Sequence, residues 1–91
     1  MVWATSALTV EDFDHWKRVW DESASAQEAG GIRGYQLHFH PTDALQFVAI
    51  REFGDLDQAR AYLTSEARKQ RMQAAGVVHC VDYLPKDDQS T

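Results

Sequence analysis

Cys80 is the only cysteine in this chain of 91 residues. A disulfide within the chain is therefore impossible, and the small secreted disulfide scaffolds are excluded; a reducing cytoplasm is the expected location. Proline is nearly as scarce, with Pro41 and Pro85 alone, so long segments run without the residue that breaks helices and interrupts strands. No apolar run approaches the roughly 20 residues that span a bilayer. The opening Met1-Val2-Trp3-Ala4-Thr5 has neither a basic n-region nor a long h-region, and reads as a strand rather than a signal peptide. Positive charge is also short. Nine Lys and Arg stand against fourteen Asp and Glu, a net charge of -5. That field repels a phosphate backbone and argues against nucleic acid. The densest basic stretch, Arg68 to Arg71, lies among helix formers and reads as a solvated helix face. No Walker loop, G-x-G-x-x-G, H-E-x-x-H or G-x-S-x-G occurs, so nucleotide and hydrolase readings have no support.

What is present is aromatic surface and regular periodicity. Three Trp, four Phe and three Tyr suit a core, an interface or an aromatic-lined pocket. The length allows one domain, which buries only about 60–65% of its unfolded surface. Val2–Leu8 is short and β-rich, a first strand. Thr9-Val10-Glu11-Asp12 resembles a capping box, with Thr9 as the cap. Val10, Phe13, Trp16 and Trp20 then recur at helical spacing, and a helix runs to about Ala29, stopped by Gly30-Gly31. Ile32–His40 alternates as a second strand, with Tyr35, Leu37 and Phe39 on one face and Gln36, His38 and His40 on the other. A turn from Pro41 leads to a third strand, Leu45–Phe53, antiparallel to the second. Asp55, with Gln58 three residues on, caps a second helical region whose inner side carries Leu56, Ala59 and Leu63. Thr64-Ser65 breaks or re-caps it. Glu66–Ala75 follows, with Ala67, Met72 and Ala75 inward, and stops at Gly76. Val77–Leu84 is a fourth strand, ended by Pro85. Residues 1–85 thus form one domain, and residues 86–91 a polar tail.

The order strand, helix, strand, strand, helix, strand is a ferredoxin-like split βαβ (βαββαβ), an α+β fold. Right-handed crossovers give the antiparallel four-stranded order 4-1-3-2, with the helices on one face. Strands two and three read as apolar on both faces: Tyr35, Leu37, Phe39, Val48 and Ile50 on one side, Ile32, Leu45, Phe47, Ala49 and Phe53 on the other. Only a second copy of the chain can cover the second face, so a homodimer is expected.

The segments Val10 to Lys17, Gly31 to Tyr35, and Ala61 to Ser65 with Met72 to Val77 resemble those of the dimeric α+β barrel superfamily. That group includes antibiotic-biosynthesis-monooxygenase-like proteins, polyketide cyclases, lactone isomerases and stress-responsive barrel proteins. The resemblance covers nearly the whole chain and is architectural. It implies a pocket between sheet and helices in each subunit, used by known members often without a bound cofactor. The haem-degrading branch carries a His in its second helical region; Ser65 to Gly76 has none here, so the likeness does not extend to haem breakdown.

With that frame, the expected activity is that of a small cofactor-independent enzyme, a cyclase, isomerase or monooxygenase-like protein. Its ligand would be an aromatic or polyketide-like small molecule, handled by His-mediated proton transfer. His79 and His38 are the candidate acid/base groups, since an imidazole both takes and gives a proton near neutrality. Arg51, charged in an apolar run, and Tyr83 would stabilise oxyanion charge. Trp3, Thr5, Trp16, Trp20, Tyr35, Gln36 and Phe47 are the expected substrate-binding residues. Phe47 and Arg51, with Gln36, are read as neighbours of His38. Two alternatives stand beside this reading. One is a non-catalytic ligand-binding or stress-responsive barrel. The other is a metal-dependent variant on His38 and His40, which share a strand face with ring spacing of about 6.5–7 Å.

Overall fold

The computed structural model describes residues 1–86; of the expected tail, residues 87–91 lie outside the described residues. The elements are β1 (Val2–Val10), α1 (Phe13–Glu22), α2 (Ala24–Ala29), β2 (Ile32–Phe39), β3 (Gln46–Phe53), α3 (Leu56–Leu63), α4 (Glu66–Ala74) and β4 (Val77–Tyr83). They form one four-stranded antiparallel sheet in the order β2-β3-β1-β4, with the helices packed on one face. The expected ferredoxin-like topology is what the chain adopts. No helix among the described residues is long and apolar enough to cross a membrane.

β1 is the organising strand. Its odd and even positions separate cleanly: Val2, Ala4, Ser6, Leu8 and Val10 are buried under the helices. Trp3, Thr5, Ala7 and Thr9 face the other way. Pairing of β1 with β3 puts Phe47, Ala49, Arg51 and Phe53 on the helix side. Two apolar clusters result. Leu8, Val10, Trp16, Trp20, Phe47, Ala49 and Ala75 form one; Val2, Ala4, Phe53, Ala59 and Tyr62 form the other. Each large side chain in them contributes roughly 1.5–3 kcal/mol by leaving water.

Three expectations about faces and caps need correction. First, β1 runs on through Val10, which is buried strand rather than helix, and the helix cap is Asp12, not Thr9. The Asp12 carboxylate accepts from the Asp14 amide at 3.2 Å. Second, the helical stretch to Ala29 is two pieces. Ser23 separates them, its hydroxyl donating back to the Val19 carbonyl at 2.8 Å. Third, Tyr35, Leu37 and Phe39 pair directly with Arg51, Ala49 and Phe47, so they share the helix side with them and not with Val48 and Ile50. The parity of the β2–β3 register is set by the length of the turn, and a shift of one residue exchanges the faces. The open face is consequently mixed. Trp3, Ala7, Val48, Ile50, Val81 and Tyr83 alternate there with Thr5, Thr9, Gln36, His38, Glu52 and His79.

Other local signals held. The Asp55 carboxylate accepts from the Gln58 amide at 2.7 Å and starts α3, while the Ser65 hydroxyl accepts from the Arg68 amide and starts α4. Gly31 and Gly76 end the helical regions with φ of 97° and 75°, conformations that a Cβ disfavours. At Gly76 an added Cβ would meet only ordinary contacts, the nearest at 3.6 Å. Gly76→Ala should therefore lower stability by about 1 kcal/mol through backbone conformation alone. Gly34→Ala, at a site with nothing within 4 Å of the new carbon, should not lower it. Urea unfolding midpoints of the two variants check this.

Candidate active site

The alternation of β1 places Ser6 among the apolar residues beneath the helices, fully buried. Arg51 lies on the adjacent strand on the same face, since its Cα partner is Ala4. Asp82 is the partner of Ser6 on β4. Arg68 comes from α4 and points down at both. Both arginines are only 3% exposed. A continuous polar network joins the four. Arg68 makes a bidentate pair with Asp82, Nη1 at 2.7 Å from Oδ2 and Nη2 at 2.9 Å from Oδ1. Arg68 also donates to the Leu63 carbonyl at 3.1 Å. The Ser6 hydroxyl donates to Asp82 at 2.6 Å and accepts from Arg51 Nη1 at 2.7 Å. Among the described residues Arg51 reaches no carboxylate directly, and its buried Nε has no hydrogen-bond partner.

The electrostatics follow from that asymmetry. Burial, aided by the charge of Arg68, pushes the Arg51 guanidinium down to about 10, so it remains a cation near neutrality. Burial would lower Arg68 too, but its bonds to Asp82 outweigh that and raise it. Desolvation would raise the Asp82 carboxyl; the donors Arg68 and Ser6 prevail and lower it. Cys80 is pushed up by burial and then by Asp82, which favours the neutral thiol.

Around this network stands an aromatic wall. Trp16 and Trp20 stack with centroids 5.3 Å apart, and Tyr35 meets Trp20 edge-on at 5.1 Å. Phe47 packs against Trp16 at 4.6 Å. The Arg51 guanidinium lies 5.0 Å from the Trp20 ring and 6.0 Å from that of Tyr62. Arg51, Arg68, Trp16, Trp20, Gln27 and Tyr62 line a cavity between sheet and helices, and the half-buried Val19, Ser23, Arg71 and Met72 form its rim. Its free volume is about 30 Å³, room for a water molecule but not a ring.

The residues predicted for the site separate into two groups on opposite faces of the sheet. Arg51, Trp16, Trp20, Tyr35 and Phe47 are on the helix side. His38, His79, Tyr83, Trp3, Thr5 and Gln36 are on the open face. His38 accordingly has Gln36 beside it, 3.0 Å from Nε2 to Oε1, and Val48 across from it; Phe47 and Arg51 are not its same-face neighbours. His38 and His79 lie on the two edge strands, with β3 and β1 between them, yet both line one shallow groove with Thr9, Val81 and Tyr83. His40 ends the hairpin: its Nδ1 accepts from the amides of Thr42 and Asp43, each at 3.1 Å. Among the described residues no three His, Cys, Asp or Glu gather as a metal site.

Arg68 overturns the reading of the basic stretch as a solvated face, and Ala67, expected inward, is exposed. The signal was available. Arg68, Met72 and Ala75 stand at i, i+4 and i+7, one stripe of a helix, so an inward Met72 implies an inward Arg68. Tyr62 also went unread, although it lies three residues beyond Ala59 on the buried side of α3.

No family model matches the sequence, and no curated protein does. Solved structures do match. A proposed antibiotic biosynthesis monooxygenase from Bordetella bronchiseptica superposes with a TM-score of 0.74 at 8% identity, over 94% of this chain and 95% of that one. Another from Caulobacter crescentus gives 0.70 at 15% identity, over 92% and 86%. The chain shares the antibiotic biosynthesis monooxygenase fold. SnoaB, a cofactor-independent oxygenase from Streptomyces nogalater, has this fold as well, with a TM-score of 0.69 at 16% identity over 99% of this chain and 97% of that one. The dimeric α+β barrel likeness read from the sequence is thus a likeness of fold across nearly the whole chain.

Two stability outcomes follow from the buried network. Arg51→Met removes a buried charge and its repulsion with Arg68, and leaves Ser6 still bonded to Asp82. It should raise stability by about 1–2 kcal/mol, as replacement of buried charge by apolar volume commonly does. Asp82→Ala strands Arg68 without its acid and should cost about 3–5 kcal/mol. The folded-state pKa of Asp82 is depressed, so its contribution is complete above the unfolded value, about pH 4, and is lost as pH falls. Asp82→Asn should flatten that acid limb in urea titrations across pH.

Proposed function

We propose that this protein is a cofactor-independent, monooxygenase-like enzyme acting on a small aromatic or polyketide-like molecule in the cavity between helices and sheet. The observation that carries this reading is the lining: stacked indoles and a phenol ring around the buried Arg51 guanidinium. A planar ring lies well against such walls, and the guanidinium stabilises negative charge where water is excluded. A phenol or enolisable ketone loses its proton to solvent at the rim and enters as the anion. The anion then has the electrons that dioxygen needs. A ring methylene and O₂ become a carbonyl and water: one oxygen atom stays in the product and the other leaves with two hydrogens. The substrate supplies every electron, so neither flavin nor metal takes part. Cyclisation or isomerisation would use the same stabilised anion without oxygen. The free volume of about 30 Å³ admits no ring, so binding of one requires Met72 and Val19 at the rim to turn outward.

A second reading belongs to the open face, where His38, His79 and Tyr83 line one groove and an imidazole would carry the proton. Oxygen uptake with anthrone-type or other phenolic poly-β-keto compounds separates the two. On the helix-side reading, Arg51→Met lowers kcat/KM by roughly 100-fold, as loss of an oxyanion donor does, while the double variant His38→Ala, His79→Ala retains activity. The reverse pattern would move the chemistry to the open face. No turnover of any such compound would leave a binding protein.

The same proposal includes a second copy of the chain on the open face, where Trp3 and Tyr83 are 38% and 59% exposed. A sedimenting species of two chains at micromolar concentration, reduced to one by Val48→Glu, is the expected result. A single chain throughout would remove the homodimer.

A further inference from the structure

We infer that the cavity selects a planar aromatic molecule bearing one negative charge, whose phenolate, enolate or carboxylate oxygen pairs with the Arg51 guanidinium. This rests on the helix-side reading above and adds that the cavity discriminates by charge, against neutral molecules of the same shape.

The inference follows from a count of charge and of hydrogen-bonding capacity. Three guanidinium groups line the cavity, Arg51, Arg68 and Arg71, and the one carboxylate near them, Asp82, is bound to Arg68. Arg71 is half-buried at the rim and lies 5.7 Å from the Tyr62 ring, so solvent screens it. Arg68 is matched by Asp82 through two short bonds. Asp82 also takes the Ser6 hydroxyl, and its single charge is committed to Arg68. One buried positive charge is left over, that of Arg51. Buried charge is ordinarily paired or neutralised, and an arginine does not lose its proton near neutrality. The missing partner must therefore come from outside the chain. Of its donors, Nη1 is spent on Ser6 and the buried Nε has no hydrogen bond, so the group has capacity left for that partner. The same guanidinium lies against Trp20, so an oxygen that meets it brings its attached ring alongside the indole. A neutral ligand of the same shape leaves the charge unmatched.

The probe is 4-nitrophenol, whose anion alone absorbs in the visible, with Trp16 and Trp20 reporting occupancy by fluorescence. Below its own pKa the free dye is mostly neutral. Bound dye should turn yellow there, its apparent pKa falling by at least about one unit beside an opposite charge. Arg51→Met should abolish that shift while remaining folded by circular dichroism, and Arg51→Lys should keep part of it. 4-Nitroanisole, the neutral analogue, should bind at least about tenfold more weakly, since it leaves a buried charge unpaired. Displacement of the dye by benzoate would extend the class to carboxylates; failure to displace would confine it to phenolates and enolates. Equal binding of dye and nitroanisole, or a bound dye with an unmoved pKa, would overturn the inference and leave an aromatic-binding cavity. If neither compound quenches the tryptophans, the cavity reading itself falls.

Discussion

Two buried guanidinium groups share one carboxylate beneath the helices, and most of the distinctive character of this protein depends on that imbalance. An apolar core would have held the sheet and helices together at least as well. Here Ser6, placed at the centre of β1, relays between the pair that is satisfied and the arginine that is not. Its hydroxyl accepts from Arg51 and donates to Asp82, which fixes Arg51 in orientation without neutralising it. The Trp20 indole of α1 stands over the charge. The result is a buried, positively charged spot inside a protein whose net charge is -5.

The order and type of the elements were legible because they rest on local chemistry: β-rich composition in β1, Asp55 and Ser65 as helix caps, Gly31 and Gly76 as stops. The four-strand order followed from crossover handedness. The faces were harder. Alternation within β2 and within β3 was clear, but which face of one joins which face of the other depends on turn length, and that sent Phe47 and Arg51 to the wrong side of His38. Arg51 was recognisable as a charge in an apolar strand. Arg68 was not, because a basic residue on a helix is ordinarily solvated and only its spacing from Met72 and Ala75 argues otherwise. The Arg68–Asp82 pair spans α4 and β4, and nothing local in either segment announces it.

The likeness to SnoaB and the other solved structures extends over almost the whole chain at 16% identity or less. At that distance what is shared is a pattern of burial, and fold of this kind hosts many chemistries. The residues that give the cavity its charge come from this chain's own sequence. The fold supplies a space between sheet and helices; Ser6, Arg51, Arg68 and Asp82 form the polar network beside it.

β4, the last strand, carries the acid that neutralises Arg68, and it docks against β1, the first. Arg68 can therefore be buried with its charge matched only when β4 is seated on β1, so the docking of one strand decides whether α4 can close over the sheet.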